Sequence, residues 1–424
     1  MSFGPRRNIV VPCISIGGML LLSFVAGAAA LHFNTPISFY LRDAFVGGEA
    51  WVAQRNELAN APIDKRALPA TGIDLPDKTF DGFTLYTVGD KATLVNMNGA
   101  AVHQWEAPFR KAWPRPTHVR APVEDEKIYL FACHLFPNGD LLAVYHGTGD
   151  TPYGYGLAKL DKNSNVIWTY SANVHHGVDV GEDGTIYVLT HELAQTMPEG
   201  LEYLQAPALV DQLVLLSPDG KERKKVPILE VLRDSAYAAL IPSYRSDMER
   251  GWDVFHANAV EVLKPEMAVH FPMFQAGQVL ISVRELDAVI MVDPETRSVV
   301  WAARGPWRMQ HDPHFLTNGR LLIFDNRGSA RASRVLEYDP QTQACPWSYP
   351  DDNGASFRTN MQGRSQRLPN GNTLVVNSFD GVLMEVTPAR ELVWTCLCHN
   401  HVPWAQRFSP GQLTFLPGDH RPRP

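Results

Sequence analysis

The sequence predicts an all-β fold, a six-bladed β-propeller preceded by one transmembrane helix and a stalk, and three observations predict it. The first is composition. Of 424 residues, 45% are hydrophobic, 10% aromatic and 20% charged, with 31 glycines and 32 prolines. That balance buries a sizeable core and suits many short strands and tight turns better than a helical bundle. The second is an uncharged apolar run near the amino end. The third is a unit of about 40 to 50 residues that recurs along the rest of the chain, the sequence mark of a propeller. A formal net charge of −7 lacks the concentrated positive field that phosphate backbones require, which argues against nucleic acid as a partner.

In chain order, Ile9 to Leu31 carry no charge over 23 positions. At 1.5 Å per residue a helix of that length crosses a hydrocarbon layer of roughly 30 Å. Arg6 and Arg7 precede the run and the next basic residue is Arg42, so the positive-inside bias leaves the short amino terminus in the cytoplasm and everything after Leu31 outside. Residues 1–31 are therefore read as a membrane anchor. A cleaved signal segment, with an A-x-A-like site within Ala26 to Ala30, is the alternative. Residues 32–78, rich in Pro, Ala and Asp, are read as a stalk, and 79–424 as the propeller. Cys13 lies inside the span, which leaves Cys133, Cys345, Cys396 and Cys398 in a compartment that permits disulfides. The Cys-x-Cys at 396 and 398 lacks a second pair at metal-ligand spacing. It reads as a strand-edge disulfide or two idle thiols.

The repeat is a glycine turn, an apolar strand, a second strand with polar turn chemistry, and a strand bearing Trp. Its copies begin FPNGDLLAV, GEDGTIYVL, QAGQVLISV, LTNGRLLIF and LPNGNTLVV, with turn glycines Gly139, Gly184, Gly277, Gly319 and Gly371. Trp168, Trp301, Trp347 and Trp394 close four of them. The segment ending at Trp105 is a sixth copy missing its first strand. SPGQLTFLP near Gly411 resembles the missing piece, so the two chain ends are expected to complete one blade and remove the open strand edge. The long interval from Gly184 to Gly277 calls for insertions, placed at Leu193 to Gln212 and Leu229 to Trp252, where they would shape an entrance.

The repeat also serves as a ruler. Eight residues before the turn glycine stand His176 and His311, and aligning HANAVEVL with HGVDVGED puts His256 at the same place. Seven residues after it stand His146, His191, Arg284, Asn326 and Ser378. That second position is taken as the other end of the innermost strand. Polar side chains recurring at the ends of inner strands should converge on one cavity. A single histidine in a β-repeat usually serves structure, but three at one register, with Asn258 and Arg284 nearby, point to a site. His175 should face away from His176 by strand alternation. A cluster of channel histidines could hold a metal, yet a guanidinium beside them repels a dication and matches the oxygens of a sulfate or phosphate. No metal and no cofactor is expected.

HHGVDV, HANAVEV followed by SVRE, QHDPHF, and QRLPNGNTLVVNS, in that order on a repeated β chain, resemble the bacterial arylsulfate sulfotransferase family over about residues 80 to 400. The resemblance implies a six-bladed propeller exported to the periplasm. It also implies a two-step exchange: an aryl sulfate gives its sulfuryl group to an enzyme histidine, which passes it to an acceptor phenol without a nucleotide donor. Carried over, His311 is the nucleophile, His256, Asn258 and Arg284 hold sulfuryl oxygens, and His176 acts on the phenolic oxygen as acid or base. Asn326, His175 and Ser378 are further candidates for substrate contact. The implied partners are a phenolic sulfate donor, a phenol acceptor, and the membrane through the first helix. A non-enzymatic, membrane-anchored propeller serving as an interaction platform is the competing reading. A metal- or quinone-dependent oxidoreductase on the same fold is another, although no haem-attachment motif is present.

Overall fold

The computed structural model describes residues 71–204, 206–241, 253–329, 332–351, 357–398 and 400–416. Their strands form six antiparallel sheets, the blades of a propeller. The anchor (1–31) and most of the stalk lie outside the described residues. Among those described, no helix is long and apolar enough to cross a membrane.

Blades two to five each use four consecutive strands. They open with Ile128–Leu135, Val174–Val180, Ala257–Val262 and His311–Phe315, and each opening strand pairs on one side only, with the next strand in sequence. These are the inner strands. The innermost strand therefore precedes the turn glycine instead of following it, which corrects the sequence expectation. The turn glycines lie between first and second strands with φ between 76° and 90°, a left-handed region that glycine enters without a Cβ penalty.

Blade six runs Arg364–Arg367, Thr373–Asn377, Val382–Val386 and Leu392–Leu397, and Thr71–Asp74 adds a fifth strand against Leu392–Leu397. Part of the segment read as stalk is thus an outer strand of the propeller. Blade one consists of Phe83–Val88, Lys91–Val95 and Ala101–Glu106, completed from the other end of the chain by Ala405–Phe408. The ring closes as expected, but through a different segment. Residues of SPGQLTFLP form a turn, Pro410–Gln412, beyond the closing strand. The first insertion is also shorter than expected. The strands Ile186–Ala194 and Ala208–Leu216 run into the first, leaving 195–207 as connection, and the second holds a short helix, Ile228–Arg233, and a turn, Ala238–Leu240. Cys133, Cys345, Cys396 and Cys398 are free thiols.

Each blade buries its faces against its neighbours, and the core is divided accordingly into clusters. The repeated tryptophans tie these together. The indole N–H of Trp105 donates to Gly139 O across blades one and two (3.0 Å), Trp347 to Pro388 O across five and six (2.9 Å), and Trp394 to Met97 O across six and one (3.0 Å). At the closure, Arg407 of the last strand pairs with Glu385 of blade six at 3.2 Å, both fully buried. It also donates to Thr84 Oγ1 (2.6 Å) and Phe80 O (2.6 Å), and lies 4.5 Å over the Trp394 ring.

Removing one partner of such a buried pair strands the other charge, at a cost of about 3–5 kcal/mol. Arg407→Ala is therefore expected to lower the urea midpoint by that equivalent with the m-value unchanged. A loss below about 1 kcal/mol would show that the closure does not depend on this pair.

Candidate active site

In a regular strand, neighbouring side chains face opposite ways. The inner strands break this rule at one end. In blade three, His175 pairs with Leu189 and Val178 with Val188, so three steps answer one. In blade four, Ala257 pairs with Val283 and Ala259 with Ser282. In blade five, His311 pairs with Phe324 and His314 with Leu322. Blade two has the same irregularity at Phe131. Such bulges re-aim side chains. Several residues beside them take left-handed backbone: His176 (φ 54°), His256 (49°), Asp312 (51°) and Gln362 (62°).

The result is a cluster of buried imidazoles. The rings of His176 and His256 lie 4.8 Å apart edge to face, and His311 is close enough to both to disfavour their protonation. His176 and His311 line a central cavity of about 290 Å³ with Asn258, Phe131, Gln362 and Trp404. The three imidazoles placed at one register by the sequence are thus brought together, but neither His256 nor Arg284 forms part of the cavity wall, where the sequence reading put them.

Hydrogen bonding fixes the protons. His311 Nδ1 lies 2.7 Å from Asn326 Oδ1 and 3.0 Å from Met309 O, and both accept. The Asn326 amide is turned by donating to Thr359 O (2.9 Å) and Gln362 O (2.5 Å). Nδ1 therefore carries the proton and Nε2 the lone pair, which faces the Gln362 N–H at 3.2 Å. His256 Nδ1 donates to Asp253 Oδ2 (2.5 Å), and its Nε2 accepts from Arg284 Nη1 (2.9 Å). Arg284 in turn donates from Nε to Glu285 Oε1 at 2.8 Å. His176 rests against Phe131 (4.6 Å between rings), with Nδ1 2.8 Å from His175 Nδ1.

Burial dominates the electrostatics. It pushes the proton affinity of His176 and His256 well below that of a free imidazole, reinforced by neighbouring histidines and, for His256, by Arg284. His311 is lowered to about 4 by burial and then by Arg284. All three are neutral near pH 7. His314, three residues on, behaves oppositely. Burial alone would lower it, but Asp312 and Glu261 outweigh burial and raise it to about 10.

The other candidates fall in different places. Asn258 donates to Gln310 O (2.8 Å), bracing the residue before His311. Asn326 sits behind His311 as an orienting group, away from the cavity wall. His175 is fully buried and forms no part of the cavity wall, but its ring meets that of His176, with centroids 5.1 Å apart, so the two do not take the opposite faces that alternation predicts. Ser378 is buried in blade six, its carbonyl accepting from Val402 N, and no contact joins it to the imidazoles. His256 accepts from Arg284, so in this state its Nε2 offers no donor to a ligand oxygen. Sequence reasoning placed His146 at the second register position, and its Nε2 there accepts the backbone N–H of His176 at 2.9 Å, a structural contact. It missed Asp253, Tyr153, Glu285 and Gln310. The clue available for Gln310 was its place beside His311. Among the described residues, one group of metal-binding type converges, His175, His191 and Asp211, and it lies outside the three channel imidazoles.

Among solved structures, a protein of unknown function from Bacteroides caccae is similar at 11% identity, covering 77% of this chain and 99% of its own, with a TM-score of 0.51. A streptogramin B lyase shows 11% identity over 76% and 81% of the two chains at a TM-score of 0.42. A catalytically inactive virginiamycin B lyase from Staphylococcus aureus with quinupristin shows 8% over 77% and 87% at 0.41. At such identities the first likeness speaks for the fold alone. No curated protein matches the sequence. The model of the family described as Arylsulfotransferase (ASST) matches residues 132–399. That span runs from within the inner strand of blade two to the end of Leu392–Leu397 in blade six and includes His176, His256 and His311; the chain belongs to the arylsulfotransferase family.

Proposed function

We propose that this protein is an aryl-sulfate sulfotransferase that uses no nucleotide donor. It moves a sulfuryl group from a phenolic sulfate ester to an acceptor phenol through a covalent intermediate on His311. The same reading places it outside the cytoplasmic membrane, held by residues 1–31. The observation that carries the mechanism is the state of His311, a neutral imidazole whose Nδ1–H is pinned by Asn326 and Met309 and whose Nε2 keeps a lone pair, held by the Gln362 N–H at 3.2 Å until sulfur displaces that contact. A neutral imidazole is a competent nucleophile near pH 7.

In the first half-reaction, Nε2 of His311 attacks sulfur and the sulfur–oxygen bond to the aryl group breaks. The electron pair leaves on the phenolic oxygen, which takes a proton from His176. In the second, His176 takes the proton of the acceptor phenol, that oxygen attacks sulfur, and the sulfur–nitrogen pair returns to Nε2. Arg284, steered by the lone pair of His256, balances the charge on the SO₃ group as it passes between oxygen and nitrogen. His176 is neutral, which suits the proton-accepting half. An arriving sulfate monoanion favours its protonated form and so prepares the proton-donating half.

His311→Ala is expected to abolish mass addition to the protein on exposure to a phenolic sulfate and to lower turnover at least about 10³-fold; full activity in this variant would remove the assignment. His176→Asn should cost about 10² to 10⁴ in rate with a poor phenolate leaving group and much less with a nitrophenyl sulfate, whose phenolate needs little protonation. Equal losses with both donors would contradict the acid–base role. For donor cleavage, kcat/KM should fall as pH drops through about 4, where His311 takes up its proton, and should show no His311 inflection near 6.5. A nucleophile titrating near 6.5 would mean that burial does not hold it neutral.

A further inference from the structure

Beside the channel imidazoles, blade three encloses a second polar cluster that the transfer reaction leaves unused. His175, His191 and Asp211 sit on its first three strands, with His191 directly opposite Asp211. All three are at least nine-tenths buried, at 0%, 3% and 2% exposure. The two imidazoles stack at 4.4 Å with 18° between planes. One potential ligand atom from each residue lies within 4.8 Å of the other two.

The hydrogen bonding leaves one atom of each residue over. Asp211 Oδ2 accepts from Ala257 N–H at 2.7 Å, His175 Nδ1 meets His176 Nδ1 at 2.8 Å, and His191 Nε2 faces Gly154 N–H at 3.2 Å. The remaining atoms, His175 Nε2, His191 Nδ1 and Asp211 Oδ1, make no hydrogen bond. Three unmatched buried polar atoms from residues that converge on one point call for an occupant. His175 Nε2 and Asp211 Oδ1 are 3.3 Å apart without hydrogen-bond geometry. That is the separation of two ligands each about 2.0–2.1 Å from a shared tetrahedral ion.

We propose that His175, His191 and Asp211 bind a divalent cation of the Zn²⁺ class, separate from the sulfuryl site. Two imidazole nitrogens and one carboxylate suit such an ion, whereas Ca²⁺ and Mg²⁺ seek a larger shell of oxygens. The net charge of the donor set, one carboxylate with two neutral imidazoles, favours a cation. Binding at His175 Nε2 keeps the His175 proton on Nδ1, where it donates to His176 Nδ1, so the proton of neutral His176 stays on Nε2. Binding at His191 Nδ1 puts its proton on Nε2, and the long contact with Gly154 N–H is the bond that gives way.

The test uses the purified full chain, stripped with a chelator and titrated with Zn²⁺ or Co²⁺. The readouts are metal content, the visible spectrum of bound Co²⁺ and the thermal midpoint, since a ligand that binds only the folded state raises it. The expected result is one ion per chain, a tetrahedral Co²⁺ spectrum without a thiolate charge-transfer band, and a midpoint that rises with Zn²⁺. Asp211→Asn and His191→Gln should each lose all three, while Cys396→Ser and Cys398→Ser keep them. No uptake and an unmoved midpoint would mean that a buried water fills the cluster and would overturn the proposal, as would a thiolate band or stoichiometric uptake surviving in both variants. Should either variant fail to fold, the wild-type stoichiometry and Co²⁺ spectrum still decide. Sulfuryl transfer is not among the readouts, so the two readings stand or fall separately.

Discussion

The inner strands of the propeller pair on one side only, and the structure depends on how their free sides are satisfied. Neighbouring inner strands do not pair with each other, yet an unmatched buried N–H is costly. Side chains supply the missing acceptors, blade by blade around the channel. Asp179 of blade three accepts from Val262 N (2.9 Å), Glu261 of blade four from Phe315 N (3.1 Å), Asp312 of blade five from Ser365 N (2.8 Å), and Gln366 of blade six from Arg407 N (2.7 Å). His314 bridges two of these carboxylates, Glu261 and Asp312, at 3.0 and 2.9 Å, which is why it is held as a cation while the histidines near it are neutral. The sign of its linkage follows: its stabilisation is present in full below the free-imidazole pKa and is lost as pH rises through about 10.

The same device places the chemistry. Asp312 directly follows His311, and its carboxylate is fixed to blade six by Ser365 N and by Arg364 Nη1 at 2.9 Å. That anchoring sustains the left-handed backbone of Asp312 within the bulge, a conformation that a residue with a Cβ keeps only when its surroundings over-determine it. His311 is then aimed from below by Gln310, whose amide reaches Ser282 Oγ (3.1 Å) and Ala288 O (2.8 Å) in blade four. His311 is thus positioned by three blades at once. Such convergence fixes one rotamer and one tautomer before any ligand arrives, and pre-organisation of this kind is where group-transfer catalysis gains most.

Much of this was legible in the sequence because propeller geometry is periodic. Turn glycines, closing tryptophans and the eight-residue offset of His176 and His311 all repeat, and repetition survives the loss of any one copy, as at Trp-less blade three. What did not repeat was not legible. The closing strand Ala405–Phe408 has four residues and no turn glycine of its own, so the neighbouring SPGQLTFLP drew the assignment. Asp253 lies outside the repeat, and its bond to His256 exists only because the chain re-enters blade four there. Asn326 was found by register but given the wrong side of the imidazole, since alternation says which face a residue takes and not which atom it meets. Bulges made the same rule fail where extra residues enter the inner strands, two between His175 and Val178 and one at Asn258.

Charge explains why these imidazoles are buried so deeply. In the absence of substrate, the Arg284 guanidinium is shared between the lone pair of His256 and the carboxylate of Glu285, and Asp253 holds the far nitrogen of His256. Arg284, buried and absent from the cavity wall, is thus a cation already half-compensated, with neutral rings around it. A sulfate monoanion gains from Arg284 without removing it from its partners, while a dianionic phosphate ester would bring a second charge that the neutral imidazoles could meet only by taking up protons against strong desolvation. Burial that keeps His311 neutral thus also favours, for the reaction proposed, a singly charged ester. In that proposal the condition that makes the nucleophile and the condition that selects the substrate are one and the same.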